Sequence, residues 1–338
     1  MVLTATSWQD TRIIVVGDVM LDVYKYGKIK RINPERPGAL LLHVEKTEYH
    51  LGGAANVAHN ILTLKGNPSL VGIVGKDHFA YLFKSELKKT GFSSQLYRDE
   101  SRPTTVKTRV VEQSHNDQLC RVDEELTHPV AVPLAARLVD QTLPRLNGQH
   151  ALVLSDYAKG LLTPEVIIPL LQYAQQHRLP VLVDPKPANI DLFVGCTVAT
   201  PNLGEAEGIV GSFSQPSSRE AYLETLCRRL QDRMQTPLAI ITCGSEGIVG
   251  IDQKGQYHHA YTPEVKTLFD VVGAGDAVLA TLALYFGHHY GKSSFDFGQA
   301  LQLANLAGYV KVGKTGTSTV TLEEVLSAHA SINSAKAI

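Results

Sequence analysis

The chain has 338 residues, of which 44% are hydrophobic and 19% charged, the balance of a folded protein with a substantial core. Lys and Arg total 32 against 33 for Asp and Glu, so no overall field would hold nucleic acid or an anionic membrane. The sequence contains no apolar run of the roughly 20 residues that span a bilayer, and residues 1–12 lack a signal-peptide layout. The four cysteines are far apart, which argues against a zinc site or disulfide framework and predicts reduced thiols in the cytoplasm.

Short β-branched runs alternate with helical stretches along most of the chain. Residues 12–16 form such a run and end at Gly17, and the helical spacing of apolar residues in 54–64 ends at Gly66. Further strands are predicted at 70–74, 151–154, 181–183, 197–200 and 238–242, with helices at 164–176 and 220–233. Because strands that alternate with helices form parallel sheets covered on both faces, the pattern predicts an α/β fold.

Two early regions interrupt this alternation. Residues 40–44, and residues 105–111 followed by 118–122, are strand-like with no helix between the strands. They predict an antiparallel flap, with lid strands at about 38–48 and 104–123; extra edge strands of the main sheet are the alternative. We therefore predict one domain over residues 12–325 with a small lid, between an N-terminal tail, 1–11, and a C-terminal tail, 326–338.

A Gly-rich segment, Gly273, Ala274 and Gly275, precedes a strongly apolar helix. Unpaired amides and the positive dipole end at a helix N-terminus bind anions, and glycine lets the backbone approach a phosphate closely. Asp276 lies in the first turn, where its carboxylate could accept a proton from an attacking hydroxyl. The alternative is that Asp276 only complements the helix dipole. The segment is not a Walker loop, because it lacks the Gly-Lys-Ser/Thr sequence of that motif. It is not a dinucleotide-binding fingerprint either, because Val278 stands where that motif needs a third glycine.

Residues 270–276, Asp-Val-Val-Gly-Ala-Gly-Asp, resemble the C-terminal signature of the ribokinase (PfkB) family of carbohydrate kinases. The resemblance implies a ribokinase-like three-layer α/β/α sandwich with a mostly parallel central sheet and a small β-strand lid. It implies ATP and Mg²⁺ as cofactors, Asp276 as catalytic base, and Gly273, Ala274 and Gly275 as anion hole. Val272 stands where the family has threonine, near a candidate monovalent-cation loop, so dependence on K⁺ stays open.

The N-terminal half carries two further similarities to this family. Gly52 and Gly53, followed by Asn56, resemble its first Gly-Gly motif, which leads into a helix and presents the asparagine to sugar hydroxyls. Asp22 comes after the first strand, where the family has an acidic residue on the sugar. The alternative for Gly52 and Gly53 is a plain turn before a helix, and the alternative for Asp22 is an acidic residue on the surface.

The C-terminal half resembles the family on the nucleotide side. Residues 200–205 match its Asn-x-x-Glu motif, which organises the magnesium shell and the nucleotide phosphates, and residues 242–247 match a nucleotide-side loop. Asn305 lies where relatives approach the adenine; the alternative is that it is an ordinary polar residue on the face of a helix. The candidate ATP and Mg²⁺ contacts are Asn202, Leu203, Gly204, Glu205, Thr242, Gly244, Ser245 and Asn305.

Several stretches are most similar to the heptose 7-phosphate kinases of lipopolysaccharide precursor synthesis: 15–22, 31–35, 52–58, 155–160, 183–186 and 313–320. The similarity implies ATP-dependent phosphorylation of D-glycero-β-D-manno-heptose 7-phosphate at its anomeric hydroxyl, and a homodimer. The sequence contains no His-x-Gly-His adenylyl-transfer signature, so we expect a stand-alone kinase. Departures at 36–38 keep alternatives open. One is a kinase for ribose, fructose or a fructose phosphate; the other is a non-catalytic sugar- or nucleotide-binding protein.

A phosphorylated sugar needs cations that a neutral sugar does not. Lys107 and Arg109 alternate on a predicted strand, so both side chains project from one face. With Arg121 and Lys159 they could clamp a distal phosphate; a solvated lid edge is the alternative. The match to the family places Lys186 near the substrates as well.

Overall fold

The computed structural model describes residues 8–32, 35–36, 38–114, 117–214, 216–263 and 270–336. Parts of the similarity at 31–35, of the departure at 36–38 and of both predicted tails therefore lie outside the described residues.

The strands are β1 (Arg12–Gly17), β2 (Val19–Ile32), β3 (Leu40–Gly53), β4 (Asn67–Val74), β5 (Ser93–Arg98), β6 (Val106–Glu112), β7 (Asp117–Glu124), β8 (Ala151–Ser155), β9 (Val181–Asp184), β10 (Val198–Ala199), β11 (Leu238–Thr242), β12 (Ile248–Ile251) and β13 (Tyr257–Ala260). The helices are α1 (Ala54–Thr63), α2 (His78–Thr90), α3 (Val132–Leu146), α4 (Pro164–Gln176), α5 (Leu203–Val210), α6 (Arg219–Met234), α7 (Ala274–His289), α8 (Phe297–Val312) and α9 (Leu322–Lys336).

The main sheet has nine strands in the order β13-β12-β11-β10-β9-β8-β1-β4-β5. The strands from β11 to β5 pair in parallel, and β12 and β13 add an antiparallel edge. The predicted strands in this sheet and the mostly parallel pairing are confirmed. The antiparallel edge was not predicted.

Helices cover both faces of this sheet. Along β1, Ile13 and Val15 point into one hydrophobic core while Ile14 and Val16 point into the other, as the two-residue period of a strand requires. The first core is closed by α1, α2, α7, α8 and α9, and the second by α3 to α6. The three-layer ribokinase-like α/β/α sandwich is confirmed.

The lid is a separate four-stranded sheet in the order β3-β2-β6-β7. The prediction of an antiparallel flap is wrong in one respect, because β2 and β6 pair in parallel. Strand β2 itself was not predicted, and Asp22, which follows β1 as expected, lies on it within the lid sheet. Irregular pairing after Tyr26 and after Ile29, together with glycine at 27, hides the strand pattern in the sequence.

The last helix, α9, continues past residue 325, so the predicted C-terminal tail is helical as far as Lys336. Nowhere in the described ranges does a helix have the length and apolarity to cross a membrane.

Candidate active site

A cleft of about 160 Å³ opens at the carboxyl ends of the parallel strands, the edge where α/β sheets bind ligands. It lies where the chain leaves β8, β9, β10 and β11 and where α7 begins. Its lining residues are Tyr157, Asp184, Lys186, Thr200, Asn202, Glu205, Thr242, Gly273, Gly275 and Asp276. Four predicted site residues from outside the Gly-rich segment are thus brought together with Asp276 and with the glycines at 273 and 275: Lys186, Asn202, Glu205 and Thr242.

Asp276 lies in the first turn of α7, and two hydrogen-bond donors from other parts of the chain hold its carboxylate. The Asn56 amide donates to Oδ2 at 2.6 Å and the Tyr157 hydroxyl donates to Oδ1 at 2.7 Å. Burial raises the pKa of Asp276, and these two hydrogen bonds act against the rise by favouring the carboxylate. An oriented carboxylate with a raised pKa is suited to accept a proton from an attacking hydroxyl.

The glycines give the start of α7 its shape. Gly273 caps the helix with a φ of 78°, and a Cβ added there would lie 2.9 Å from the Asn56 amide nitrogen. Gly275 has open space where a Cβ would be, so its backbone faces the cleft. The Ala274 amide instead donates to the Val271 carbonyl at 3.2 Å. The cleft therefore exposes Gly273 and Gly275 more than Ala274.

Tyr157 was not predicted as a site residue. Its loop is fixed by the buried Asp18 carboxylate, which accepts from the amides of Tyr157 and Lys159 at 3.0 Å and of Leu161 at 3.2 Å. The sequence signal was available, since residue 157 follows β8 closely and the ends of parallel strands meet at one edge.

We expect Tyr157→Phe to move the acidic limb of the kcat/KM profile to higher pH. The hydroxyl favours the Asp276 carboxylate, so without it the pKa of Asp276 rises further and the base ionises only at higher pH. A hydrogen bond to a charged group contributes about 1.5–3 kcal/mol, or about one to two pH units. Tyr222→Phe is the matched control, because it removes a 2.8 Å hydrogen bond to Glu207 on the surface. Identical profiles for both variants would contradict the assignment.

Asn202 and Glu205, which are predicted to organise the nucleotide phosphates and the magnesium shell, form a capping box at the start of α5. Asn202 Oδ1 accepts from the Glu205 amide, and Glu205 Oε2 accepts from the Asn202 amide, both at 3.0 Å. Glu205 Oε1 accepts from Lys186 Nζ at 2.5 Å. Lys186, expected among the sugar-binding residues, therefore lies beside residues predicted to bind the nucleotide. Leu203 packs against the core, whereas Gly204 is exposed.

Asp184 is a second cleft residue that sequence reasoning missed. Burial, with the charges of Glu205 and Asp276, raises its pKa to about 8 against the opposing charge of Lys186. Within the described ranges no group of three or more His, Cys, Asp or Glu could hold a metal ion alone. The carboxylates of Asp184 and Glu205 in the cleft are the hard oxygen donors that a divalent ion shared with phosphates and water would need.

The remaining residues predicted to bind the nucleotide come together beyond Thr242. Gly244, with a φ of 59°, and Ser245 form a single helical turn after β11. Asn305, 7% exposed on α8, accepts from the Thr262 hydroxyl at 3.1 Å, and that hydroxyl is 3.4 Å from the Gly244 carbonyl. Asn305 is therefore connected through Thr262 to the loop at Gly244, and it is more than an ordinary polar residue on a helix face.

Several of the residues predicted to bind the sugar lie around Asp22 on the lid. Its Oδ1 accepts from Arg109 and its Oδ2 from the Thr317 hydroxyl at 3.1 Å, and the residue is 4% exposed, so it is not a surface acid. A Cβ on Gly52 would lie 2.4 Å from Asp22 Oδ2, and one on Gly53 would lie 2.4 Å from the Asp18 carbonyl oxygen. These two positions therefore require glycine.

The four predicted phosphate-binding cations are all paired with carboxylates in this structure. Arg109 pairs with Asp22, and Lys159 pairs with Glu125 at 2.6 Å. Asp123 pairs with both Lys107, at 3.8 Å, and Arg121, at 2.9 Å. Arg121 is half-exposed, as the solvated-edge alternative requires, but Arg109 is buried on the face it shares with Lys107 and Asp22.

Known proteins resemble this chain over most of its length. Residues 10–324 match the model of the pfkB family of carbohydrate kinases. The D-beta-D-heptose 7-phosphate kinase of Bordetella bronchiseptica is 38% identical over 316 residues, 93% of this chain and 95% of that protein. The bifunctional protein HldE of Hahella chejuensis is 37% identical over 94% of this chain, which spans 63% of that relative.

Solved structures of low identity share the fold. The phosphofructokinase-2 of Escherichia coli in complex with fructose-6-phosphate has a TM-score of 0.76 at 17% identity, covering 96% of this chain and 99% of that one. The ribokinase of Arabidopsis thaliana, complexed with ribose and ATP, has a TM-score of 0.72 at 17% identity, covering 94% and 98%. Carbohydrate kinases of this kind use ATP with a divalent metal. The chain belongs to the pfkB family of carbohydrate kinases.

Proposed function

We propose that the protein phosphorylates D-glycero-β-D-manno-heptose 7-phosphate at its anomeric hydroxyl, with ATP as donor, to give the 1,7-bisphosphate for ADP-heptose and lipopolysaccharide precursor synthesis. The observation that carries the proposal is the Asp276 carboxylate, oriented by Asn56 and Tyr157 at the glycine-capped start of α7. The similarity to a heptose 7-phosphate kinase over 95% of that protein supports this sugar.

In the proposed reaction the anomeric oxygen attacks the γ-phosphorus in line, and its proton moves to Asp276. The bond between the γ-phosphorus and the β–γ bridging oxygen breaks, and ADP leaves. Backbone amides of Gly273 and Gly275 face the charge on the transferred group. Mg²⁺, when bound, neutralises charge on the phosphate oxygens, and Asn202 and Glu205 would organise its shell. Closure of the lid would exclude water that otherwise hydrolyses ATP.

The distal 7-phosphate is proposed to bind among Lys107, Arg109, Arg121 and Lys159. All four lie on or beside the lid sheet, and Lys107 is directly opposite Asp22 in the pairing of β2 with β6. Burial lowers the pKa of Lys107, and the carboxylates of Glu125 and Asp123 act against that. A phosphate arriving beside Lys107 would compete with these carboxylates for the cation.

We further propose a cytoplasmic homodimer. The cytoplasm is proposed because ATP would be the phosphate donor and because the four cysteines are unpaired in the structure, as in a reducing compartment. The exposed Leu40, Val44 and Val122 on the lid strands are the apolar surface that a second copy would cover.

Release of ADP with a panel of acceptors tests the proposed substrate. We expect kcat/KM for the heptose 7-phosphate to exceed that for the unphosphorylated heptose by about 10²-fold or more, because charge-assisted hydrogen bonds to the distal phosphate are lost with the neutral sugar. Fructose 6-phosphate and ribose complete the panel. Turnover limited to ribose, or equal kcat/KM for both heptoses, would overturn the substrate assignment while leaving the kinase assignment intact.

A further inference from the structure

A lysine is fully buried beneath the turn that forms the anion hole. Lys311, in the last turn of α8, has no exposed surface and ranks among the largest side chains that are completely buried. Its Cε is 3.5 Å from the position that a Cβ on Gly273 would occupy. No step of the proposed reaction uses this residue, so its charge needs another explanation.

The Lys311 ammonium holds two loops together. Its Nζ donates to the Gly316 carbonyl at 2.9 Å, and the Gly316 amide donates in turn to Asp270 Oδ2 at 3.1 Å. The other oxygen of Asp270 accepts from the Val272 amide at 2.9 Å. A continuous set of contacts therefore runs from Lys311 through Gly316 and Asp270 to the residue directly before Gly273.

Two nearby carboxylates oppose the effect of burial on the charge of Lys311. Burial lowers the pKa of Lys311, and among its neighbours Asp270 and Asp276 act in the opposite direction while Lys314 adds to the fall. A buried ion is costly, and an apolar side chain of similar volume would often serve the fold as well or better. A positive charge retained at this place suits a site that must stabilise negative charge on a transferred phosphoryl group.

We propose that the Lys311 ammonium is a built-in monovalent cation, which fixes the turn from Asp270 to Gly273 and supplies positive potential behind the anion hole. Turnover then needs no K⁺ or other free monovalent cation. The proposal rests on the proposed function only in taking this turn as the anion hole. Lys311 is a positioning residue, since it acts on substrate through the backbone of the turn.

The wild-type protein gives the first test, without any substitution. Its kcat should be the same in KCl and in N-methylglucamine chloride of equal ionic strength, because the cation is part of the chain. Specific activation of the wild type by K⁺ would overturn the proposal.

Lys311→Ala gives the second test. We expect kcat to fall about 10²-fold in N-methylglucamine chloride, as when one electrostatic contribution to an anion hole is lost, with a smaller change in the KM for the sugar. K⁺ or NH₄⁺ should restore much of the lost kcat by entering the space left by the side chain. Lys314→Ala is the control, because Lys314 pairs with the Thr319 carbonyl and Glu324 instead and should gain no cation dependence. A folded Lys311→Ala with wild-type kcat, or one that K⁺ and NH₄⁺ do not restore, would overturn the proposal.

Thermal unfolding separates this inference from the choice of sugar. The melting temperature of Lys311→Ala should be higher in KCl than in N-methylglucamine chloride, whereas the wild type should melt at one temperature in both salts. This readout needs no acceptor sugar. If no sugar on the panel is phosphorylated but the melting temperatures behave as stated, the proposed substrate fails and the built-in cation stands. Equal responses of variant and wild type would overturn the built-in cation.

Discussion

Asp276→Asn is expected to lower kcat by about 10²- to 10⁴-fold, the contribution of a well-placed general base. The change keeps the shape of the side chain but removes its capacity to take the proton of the attacking hydroxyl. The KM for ATP should change little, because nucleotide contacts are predicted around Asn202 and Thr242 instead. Steady-state ADP release at saturating sugar measures the effect.

The variant should remain folded, which makes the loss interpretable. Of the two groups that donate to Asp276, the Tyr157 hydroxyl can rotate and accept from an asparagine amide, so the buried hydrogen bonds can be kept. Asp140→Asn, an exposed change on α3, is the matched control and should leave kcat unchanged. Wild-type turnover by folded Asp276→Asn would remove Asp276 from the mechanism.

Asp22→Ala is expected to lower the free energy of unfolding by about 3–5 kcal/mol, because it leaves Arg109 as a buried, unpaired charge. The Arg109 side chain is 7% exposed and also lies 5.1 Å from the centre of the Tyr24 ring, so it cannot reach water without leaving the lid. Denaturant unfolding measures the change. Asp123→Ala, which breaks more exposed ion pairs of the same sheet, should cost only about 0–1 kcal/mol.

A double variant separates the structural role of Asp22 from its proposed role on the sugar. Asp22→Ala combined with Arg109→Met removes both charges, so much of the lost stability should return. The KM for the unphosphorylated heptose, which has no 7-phosphate for Arg109 to contact, should nevertheless stay raised by about 10-fold or more, since a charge-assisted hydrogen bond to a sugar hydroxyl is still missing. Recovery of both stability and sugar KM would mean that Asp22 only supports the lid.

Much of the fold could be predicted because its main sheet is buried on both faces. Runs such as those in β1 and β11 are almost entirely apolar, and only a central parallel strand needs such a sequence. The lid has one solvated face and irregular pairing, so β2, with lysines at 25 and 28, carries no comparable signal. Parallel pairing of β2 with β6 depends on tertiary contacts that local sequence does not encode.

The candidate site, like the fold, could be predicted from the sequence only in part. Asp276 and Asn56 could be predicted although 220 positions separate them, since each lies in a family motif at a helix start. Tyr157 and Asp184 belong to no catalytic pattern of residue types, and only the sheet order brings them to Asp276. Lys186 was predicted from its motif, but the capping geometry of Glu205 decides which side of the cleft it faces. Lys311 is hidden because a single lysine in the last turn of a helix ordinarily only complements the helix dipole.

The most direct measurement is the phosphorus-31 NMR spectrum of D-glycero-β-D-manno-heptose 7-phosphate incubated with the protein, ATP and Mg²⁺. A new anomeric phosphate resonance should appear beside the unchanged 7-phosphate, in step with ADP, with wild-type protein and not with Asp276→Asn. ADP formation without a sugar-phosphate resonance, or a phosphate attached at another carbon, would contradict the proposed reaction.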